Sequence, residues 1–130
     1  MTSPWPVDIK LHRVSRVLEV RFDSEETFRF SAEFLRVHSP SAEVKGHGPG
    51  QEVLQLGKEG VNIDAINPVG NYAVQISFDD GHNTGLYSWA TLYDFGKHQG
   101  EYWQKYLDLL ARAGHVRNVG ATEGAAPSRG

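Results

Sequence analysis

An alternating segment and a tight turn follow one another in residues 72–83, which read Tyr72-Ala73-Val74-Gln75-Ile76-Ser77-Phe78-Asp79-Asp80-Gly81-His82-Asn83. Apolar side chains at every second position predict a strand whose buried face carries Tyr72, Val74, Ile76 and Phe78. Because Asp-Gly after such a strand is a strong hairpin signal, residues 84–88 are expected to return as its partner. The segment therefore predicts an antiparallel sheet.

Further strands are predicted on the N-terminal side of this hairpin. Residues 9–14 and 17–22 alternate in the same way, and residues 27–30 resume the alternation after a polar turn. This arrangement is typical of an antiparallel meander. Residues 61–66 form another candidate strand, and residues 67–71 are expected to supply a turn or bulge before the next one.

Helices are predicted at two places. Ser31 can cap a short helix over residues 32–36, because its hydroxyl can accept a hydrogen bond from a free N–H of the first turn. Beyond the hairpin, apolar and aromatic residues recur every three or four positions, which indicates helix. A break is expected at Gly96 or Gly100, and Gly114 is the expected C-cap.

These elements place the chain in the α+β class. We expect an antiparallel or mixed β-sheet packed on one side by C-terminal helices, in two layers. The domain is expected to span residues 1–114. Residues 115–130 contain no aromatic side chain and end in a segment rich in Gly and Ala, so a disordered C-terminal tail is predicted there.

The composition excludes several classes of function. Thirteen Lys and Arg against 16 Asp and Glu give a net charge of -3, which offers no basic surface for nucleic acid. The chain has no cysteine, so disulfides, thiolate nucleophiles and Cys-based metal sites are excluded. Neither a signal peptide nor an apolar run of the roughly 20 residues that cross a bilayer is apparent. We therefore expect a cytoplasmic protein that binds neither nucleic acid nor membranes.

The candidate chemistry lies in a long irregular segment, residues 39–60, and in the turn at residues 79–83. Long loops in compact domains are often functional. Because imidazole is a common metal ligand, His82 could be joined by His38 or His47 in a metal site. None of the six histidines lies in a known ligand motif, however, and local hydrogen bonding of Asp80 and His82 within the turn is favoured.

Three longer motifs follow one another along the chain: Leu35-Arg36-Val37-His38-Ser39-Pro40-Ser41-Ala42-Glu43, then Ile63-Asp64-Ala65-Ile66-Asn67-Pro68-Val69-Gly70-Asn71-Tyr72-Ala73-Val74, then Asp79-Asp80-Gly81-His82-Asn83-Thr84-Gly85-Leu86-Tyr87-Ser88-Trp89 with Leu92. In this order they resemble the gamma-butyrobetaine hydroxylase-like N-terminal domain family, from about Pro6 to about Leu110. The resemblance implies a domain that precedes the catalytic domain of iron- and 2-oxoglutarate-dependent oxygenases of the carnitine pathway. It is also attached to P-loop iron–sulfur cluster carrier ATPases and stands alone in bacteria. This chain is similar to the stand-alone form.

The resemblance also implies a comparison of metal ligands. In the oxygenases, three cysteines of the segment that matches residues 39–44 join one histidine to hold a structural zinc. The matching positions here are Ser39, Ser41, Val44 and His82. Because a hydroxyl is a poor zinc ligand and valine is none, the site is expected to be lost, and we predict neither metal nor cofactor. The catalytic iron ligands of the oxygenases lie in a different domain, so the resemblance implies no hydroxylase activity.

These observations favour a non-enzymatic binding or adaptor domain. By association with the family, its expected partner is a protein, an iron–sulfur carrier or a related enzyme of iron–sulfur or metal-cofactor processes. The partner or ligand surface is placed where the 39–60 segment meets the turn, at Arg36, His38, His47, Asp80 and His82. The alternative is a small metal-dependent or hydrolytic enzyme that uses Asp80, His82 and the same segment.

Overall fold

The computed structural model describes residues 4–46 and 53–117, and its strands form two antiparallel three-stranded sheets. The first sheet contains, in spatial order, β1 (Pro6–His12), β2 (Val17–Phe22) and β3 (Thr27–Ser31). The second contains β4 (Ile63–Val69), β5 (Ala73–Phe78) and β6 (Leu86–Ser88). The α+β class and the antiparallel pairing are confirmed, with the strands divided between two sheets.

Four helices complete the described part of the chain: α1 (Ala32–Val37), α2 (Ala42–Lys45), α3 (Trp89–Lys97) and α4 (Gln99–Arg112). The hydroxyl of Ser31 caps α1 by accepting the Phe34 N–H at 3.0 Å, as the sequence predicts. Ser88 caps α3 in the same way. The break between α3 and α4 falls at His98, between the two glycines proposed for it. The short α2 lies inside residues 39–60, for which the sequence predicts an irregular segment.

One hydrophobic core joins both sheets to α1 and α3. It contains side chains from β2 and β3, from β4, β5 and β6, and from the two helices, among them Leu18, Phe30, Phe34, Ile76, Tyr87 and Leu92. A smaller cluster of Val37, Tyr106 and Leu110 attaches α4 to the end of α1. The C-terminal helices therefore pack against the sheets.

The stretch between β4 and β5 differs from the prediction. Residues 67–69 are not a turn but continue β4, with Pro68 opposite Val74. Proline is tolerated there because β4 is an edge strand, whose outer side needs no N–H donor. The turn moves to residues 70–72, where Gly70 has a φ of 55°. Tyr72 lies in this turn, is 54% exposed and does not share the buried face of β5.

The C-terminal residues beyond α4 contact the rest of the protein as far as they are described. His115 Nε2 lies 2.9 Å from a Glu59 carboxylate oxygen, and Arg117 forms an ion pair with the buried Glu33. The guanidinium of Arg117 also stacks over the Trp103 ring, 5.0 Å from its centroid. The predicted disorder of the tail otherwise falls on residues 118–130, outside the described residues, and stays a prediction.

Candidate functional site

The carboxylate of Asp80 gathers donors from three parts of the chain. Arg36, in the last turn of α1, donates from Nε to Oδ2 at 2.8 Å, and Lys58 donates from Nζ to the same oxygen at 2.7 Å. The N–H of His82 donates to Oδ1 at 3.0 Å within the turn. Arg36 also donates to the side-chain oxygen of Gln55 at 3.1 Å. We call these five residues the Asp80 cluster.

The electrostatics of the Asp80 cluster favour the ionised carboxylate. Partial burial raises the pKa of Asp80, but hydrogen bonds from Lys58, from the His82 N–H and from Arg36 outweigh it and hold the pKa well below its usual range. Arg36 is buried, so its positive charge has little water around it and is balanced by Asp80. The cluster therefore ties α1 and the 53–60 segment to the hairpin turn after β5.

A second set of hydrogen bonds, a chain through Ser39, His82 and Glu43, connects the start of the 39–60 segment to the turn. Ser39 Oγ lies 2.9 Å from His82 Nε2, and His82 Nδ1 lies 2.9 Å from Glu43 Oε1. Ser39 Oγ also accepts the N–H of Ser41 at 3.2 Å, and Ser41 Oγ lies 2.6 Å from Thr84 Oγ1. The start of the 39–60 segment is thus fastened to the residues that follow the turn.

The positions that match the family's zinc ligands come together here, but their chemistry does not fit zinc. Ser39 and His82 are in direct contact, whereas the Ser41 hydroxyl is used by Thr84 and the Val44 side chain is apolar and buried. Within residues 4–46 and 53–117, no group of three or more His, Asp or Glu side chains is placed to hold a metal ion. A hydrogen-bonded chain occupies the place where the family resemblance implies a zinc.

The Ser39, His82 and Glu43 side chains lie in the order of a hydrolytic Ser-His-carboxylate triad. A nucleophilic hydroxyl must reach substrate, yet Ser39 is only 1% exposed. Its oxygen also accepts a backbone N–H, and the Cα of Gly85 lies so close that a Cβ there would stand 2.3 Å from this oxygen. This hydrogen-bonded chain therefore braces the start of the 39–60 segment.

His38 lines a cavity of about 730 Å³, and Ser39 and Gln55 line the same cavity. The cavity lies between the end of α1, α2, residues 53–55 and the helices α3 and α4. His38 Nδ1 is 2.8 Å from the Phe34 carbonyl oxygen, and the imidazole packs against the Phe34 and Tyr102 rings. Burial lowers the pKa of His38 and outweighs the hydrogen bonds to the Phe34 and Tyr102 backbones, which raise it, so the neutral imidazole is favoured.

The five candidate residues thus have different surroundings. Arg36, Asp80 and His82 meet as predicted, His38 lies apart in the cavity wall, and His47 lies outside the described residues. Sequence reasoning missed Lys58 and Gln55, because no motif or spacing marks a side chain that meets its partner only through the fold. The role of all five in binding stays a prediction.

Comparison with known proteins gives one family and several similar structures. The family model described as "Gamma-butyrobetaine hydroxylase-like, N-terminal" matches residues 9–93. Two solution structures determined by NMR are 44% and 52% identical, with TM-scores of 0.78 and 0.75. The first covers 91% of this chain and 93% of its own, and the second covers 90% of each.

A crystal structure of a protein of unknown function from Acidithiobacillus ferrooxidans, which belongs to the DUF971 family, is also similar. It is 40% identical with a TM-score of 0.56, and the match covers 67% of this chain and 86% of that one. No protein with a curated description matches this chain. No helix in the described part of the chain is long and apolar enough to cross a membrane.

Proposed function

Because the chain belongs to the gamma-butyrobetaine hydroxylase-like N-terminal domain family, also called DUF971, we propose that it is a non-enzymatic binding module for a protein partner. One observation carries the proposal. Where the 39–60 segment meets the turn at residues 79–83, which we call the junction, the polar side chains bind one another instead of facing a substrate. Asp80 is occupied by Arg36 and Lys58, and His82 is held between Ser39 and Glu43. Such a junction is a scaffold that fixes the position of the neighbouring surface.

The surface that this scaffold presents includes Leu56, whose side chain is 49% exposed. Gln55 directly precedes it and is held by Arg36, while Lys58, two residues after it, is held by Asp80. An exposed apolar side chain between two fixed neighbours loses little conformational freedom when it enters a partner's pocket, so it contributes efficiently to binding. Leu56 is therefore our candidate contact residue.

The family association supports an iron–sulfur cluster carrier as the partner, since similar domains are attached to such carriers. We expect the full chain to bind the purified P-loop iron–sulfur carrier of its own cell in a biolayer interferometry assay. Leu56→Ser should weaken this binding at least tenfold without lowering the melting temperature. Val14→Ser is the matched control, because Val14 is fully exposed in the turn between β1 and β2 and should not change binding.

The carrier proposal fails if the wild-type chain does not bind the carrier. If Leu56→Ser and Val14→Ser bind the carrier equally well, the contact assigned to Leu56 is overturned. Binding of the chain to the oxygenase catalytic domain instead would keep the adaptor role and replace its partner.

A hydrolase is the second candidate, and the Ser39, His82 and Glu43 chain is the observation that favours it. A fluorophosphonate probe labels activated serine hydroxyls, so an enzyme of this kind would be labelled at Ser39. Because Ser39 is buried and hydrogen-bonded to a backbone N–H, we expect no labelling. Labelling of the wild-type chain that disappears in both Ser39→Ala and His82→Gln would establish the hydrolase and overturn the adaptor.

A further inference from the structure

We propose that the cavity beside His38 binds a small organic anion with an aromatic or other apolar body, and that Lys45 and Lys105 hold its charge. The wall of this cavity includes residues 53–55, which precede Leu56, but the inference does not depend on the proposed protein partner. It rests on the size of the cavity, on the composition of its wall and on the two ammonium groups in that wall.

The size and the wall of the cavity suit a small molecule. Its volume of about 730 Å³ lies within the range of roughly 300–1,000 Å³ that small-molecule sites occupy. Much of the wall is apolar and is supplied by five elements or segments, with Val37, Val44, Leu54, Phe95, Tyr106 and Leu109. An apolar body of a ligand would therefore be removed from water on several sides.

The charges in the wall favour an anion. Lys45, at the end of α2, and Lys105, in α4, both line the cavity while remaining exposed to solvent. Among the described residues, neither ammonium has a carboxylate within ion-pair distance. Among the described residues of the wall, Asp94 has the one carboxylate, which accepts a hydrogen bond from the Tyr102 hydroxyl at 2.5 Å and lies 3.9 Å from His98 Nε2. The described part of the wall therefore carries two ammonium groups and one carboxylate, and a bound anion would balance the remaining positive charge.

His38 adds a neutral polar group to this wall. Its Nδ1 is directed to the Phe34 carbonyl, and the imidazole ring packs against Phe34 and Tyr102, so its orientation is fixed. The wall thus combines an apolar floor, a fixed imidazole and two long cationic side chains. A carboxylate or sulfonate on a planar apolar body is the chemistry that this combination would recognise, since the charge can meet the lysines while the body lies on the floor.

Two probes with nearly the same aromatic body test the proposal. 8-Anilinonaphthalene-1-sulfonate carries a negative charge, and N-phenyl-1-naphthylamine does not. We expect the full chain to bind the sulfonate, and Lys45→Gln combined with Lys105→Gln to weaken its affinity at least tenfold. The same double variant should bind the neutral probe as the wild type does. Lys10→Gln is the control, because Lys10 is an exposed lysine on β1 and should leave both affinities unchanged.

The site of binding is located by titrating ¹⁵N-labelled protein with the sulfonate. We expect the amide shifts to change at residues 37–39, 53–55 and 90–95 and on α4, and to remain constant in β1 and β2. The proposal is overturned if neither probe binds. Equal sulfonate affinity of the wild type and the double variant, or shift changes confined to another surface, would also overturn it.

Discussion

Asp80 is the residue on which the junction depends most directly. It accepts hydrogen bonds from Arg36, Lys58 and the His82 N–H, and it balances the charge of a buried guanidinium. Asp80→Asn keeps the shape but removes the charge, so we expect the free energy of unfolding to fall by about 2 kcal/mol. Chemical denaturation of both proteins measures this difference. Asp64→Asn, at an exposed position of β4, should have almost no effect; an equal loss would point to overall charge instead.

The same carboxylate predicts a dependence of stability on pH. The pKa of Asp80 is lower in the folded protein than its unfolded value of about 3.9. The stability that it contributes is therefore fully present above the unfolded pKa and is lost as the pH falls below about 4 toward the folded pKa. The difference in melting temperature between wild type and Asp80→Asn should be constant near neutral pH and shrink below about pH 4. A difference that grows with acidity would contradict the assignment.

At the matched zinc positions, residue chemistry leads to a prediction about metal. Ser39 and His82 bind each other, and Val44 offers no ligand atom. The purified protein should therefore contain far less than one zinc or iron per chain, and EDTA should leave its melting temperature unchanged. Elemental analysis and a thermal scan with the chelator measure both quantities. A stoichiometric metal, or a clear loss of stability with EDTA, would favour the metal-dependent enzyme instead.

Secondary-structure elements could be predicted where their signals are local. The Ser31 cap and the alternation before Phe78 each depend on a few neighbouring residues, and both α1 and β5 form as expected. The end of β4 could not be predicted, because Pro68 is acceptable only at a sheet edge, and the sequence does not show which strands are edges. The division of the strands between two sheets could not be predicted for the same reason, because the sequence does not show which strands are edges. Lys58 could not be predicted as part of the candidate site, because it meets Asp80 only through tertiary structure.

The packing of α3 on the first sheet predicts opposite effects for two glycines. A Cβ at Gly96 would lie 2.3 Å from the Phe28 ring of β3, whereas a Cβ at Gly100 in α4 has no heavy atom within 4 Å. Gly96→Ala should therefore destabilise the protein by about 1–3 kcal/mol through this overlap. Gly100→Ala should stabilise it by up to about 1 kcal/mol, since alanine favours helix. Equal effects in thermal denaturation would mean that α3 does not pack so closely on β3.

At the scale of the whole molecule, contacts between residues far apart in the sequence fasten α4 and the segment after it to α1. Glu33 of α1 is 6% exposed, and its carboxylate accepts hydrogen bonds from the Tyr106 hydroxyl at 2.7 Å and from Arg117 Nε at 2.8 Å. A second guanidinium nitrogen of Arg117 bonds to the other carboxylate oxygen. The segment after α4 therefore provides the charge that balances a buried carboxylate, although composition alone places the domain boundary at residue 114.

The contact between Glu33 and Arg117 predicts where the chain can be shortened. Arg117→Ala leaves the Glu33 carboxylate buried without its cation, so we expect a loss of about 2–3 kcal/mol in the free energy of unfolding. A chain ending at Arg117 should keep the wild-type melting temperature, whereas one ending at Gly114 should match Arg117→Ala or fall below it. Arg112→Ala is the control, because Arg112 is exposed in the last turn of α4 and should change little. If the chain ending at Gly114 melts with the wild type, the contact with Glu33 contributes nothing, and the domain ends where composition alone places it.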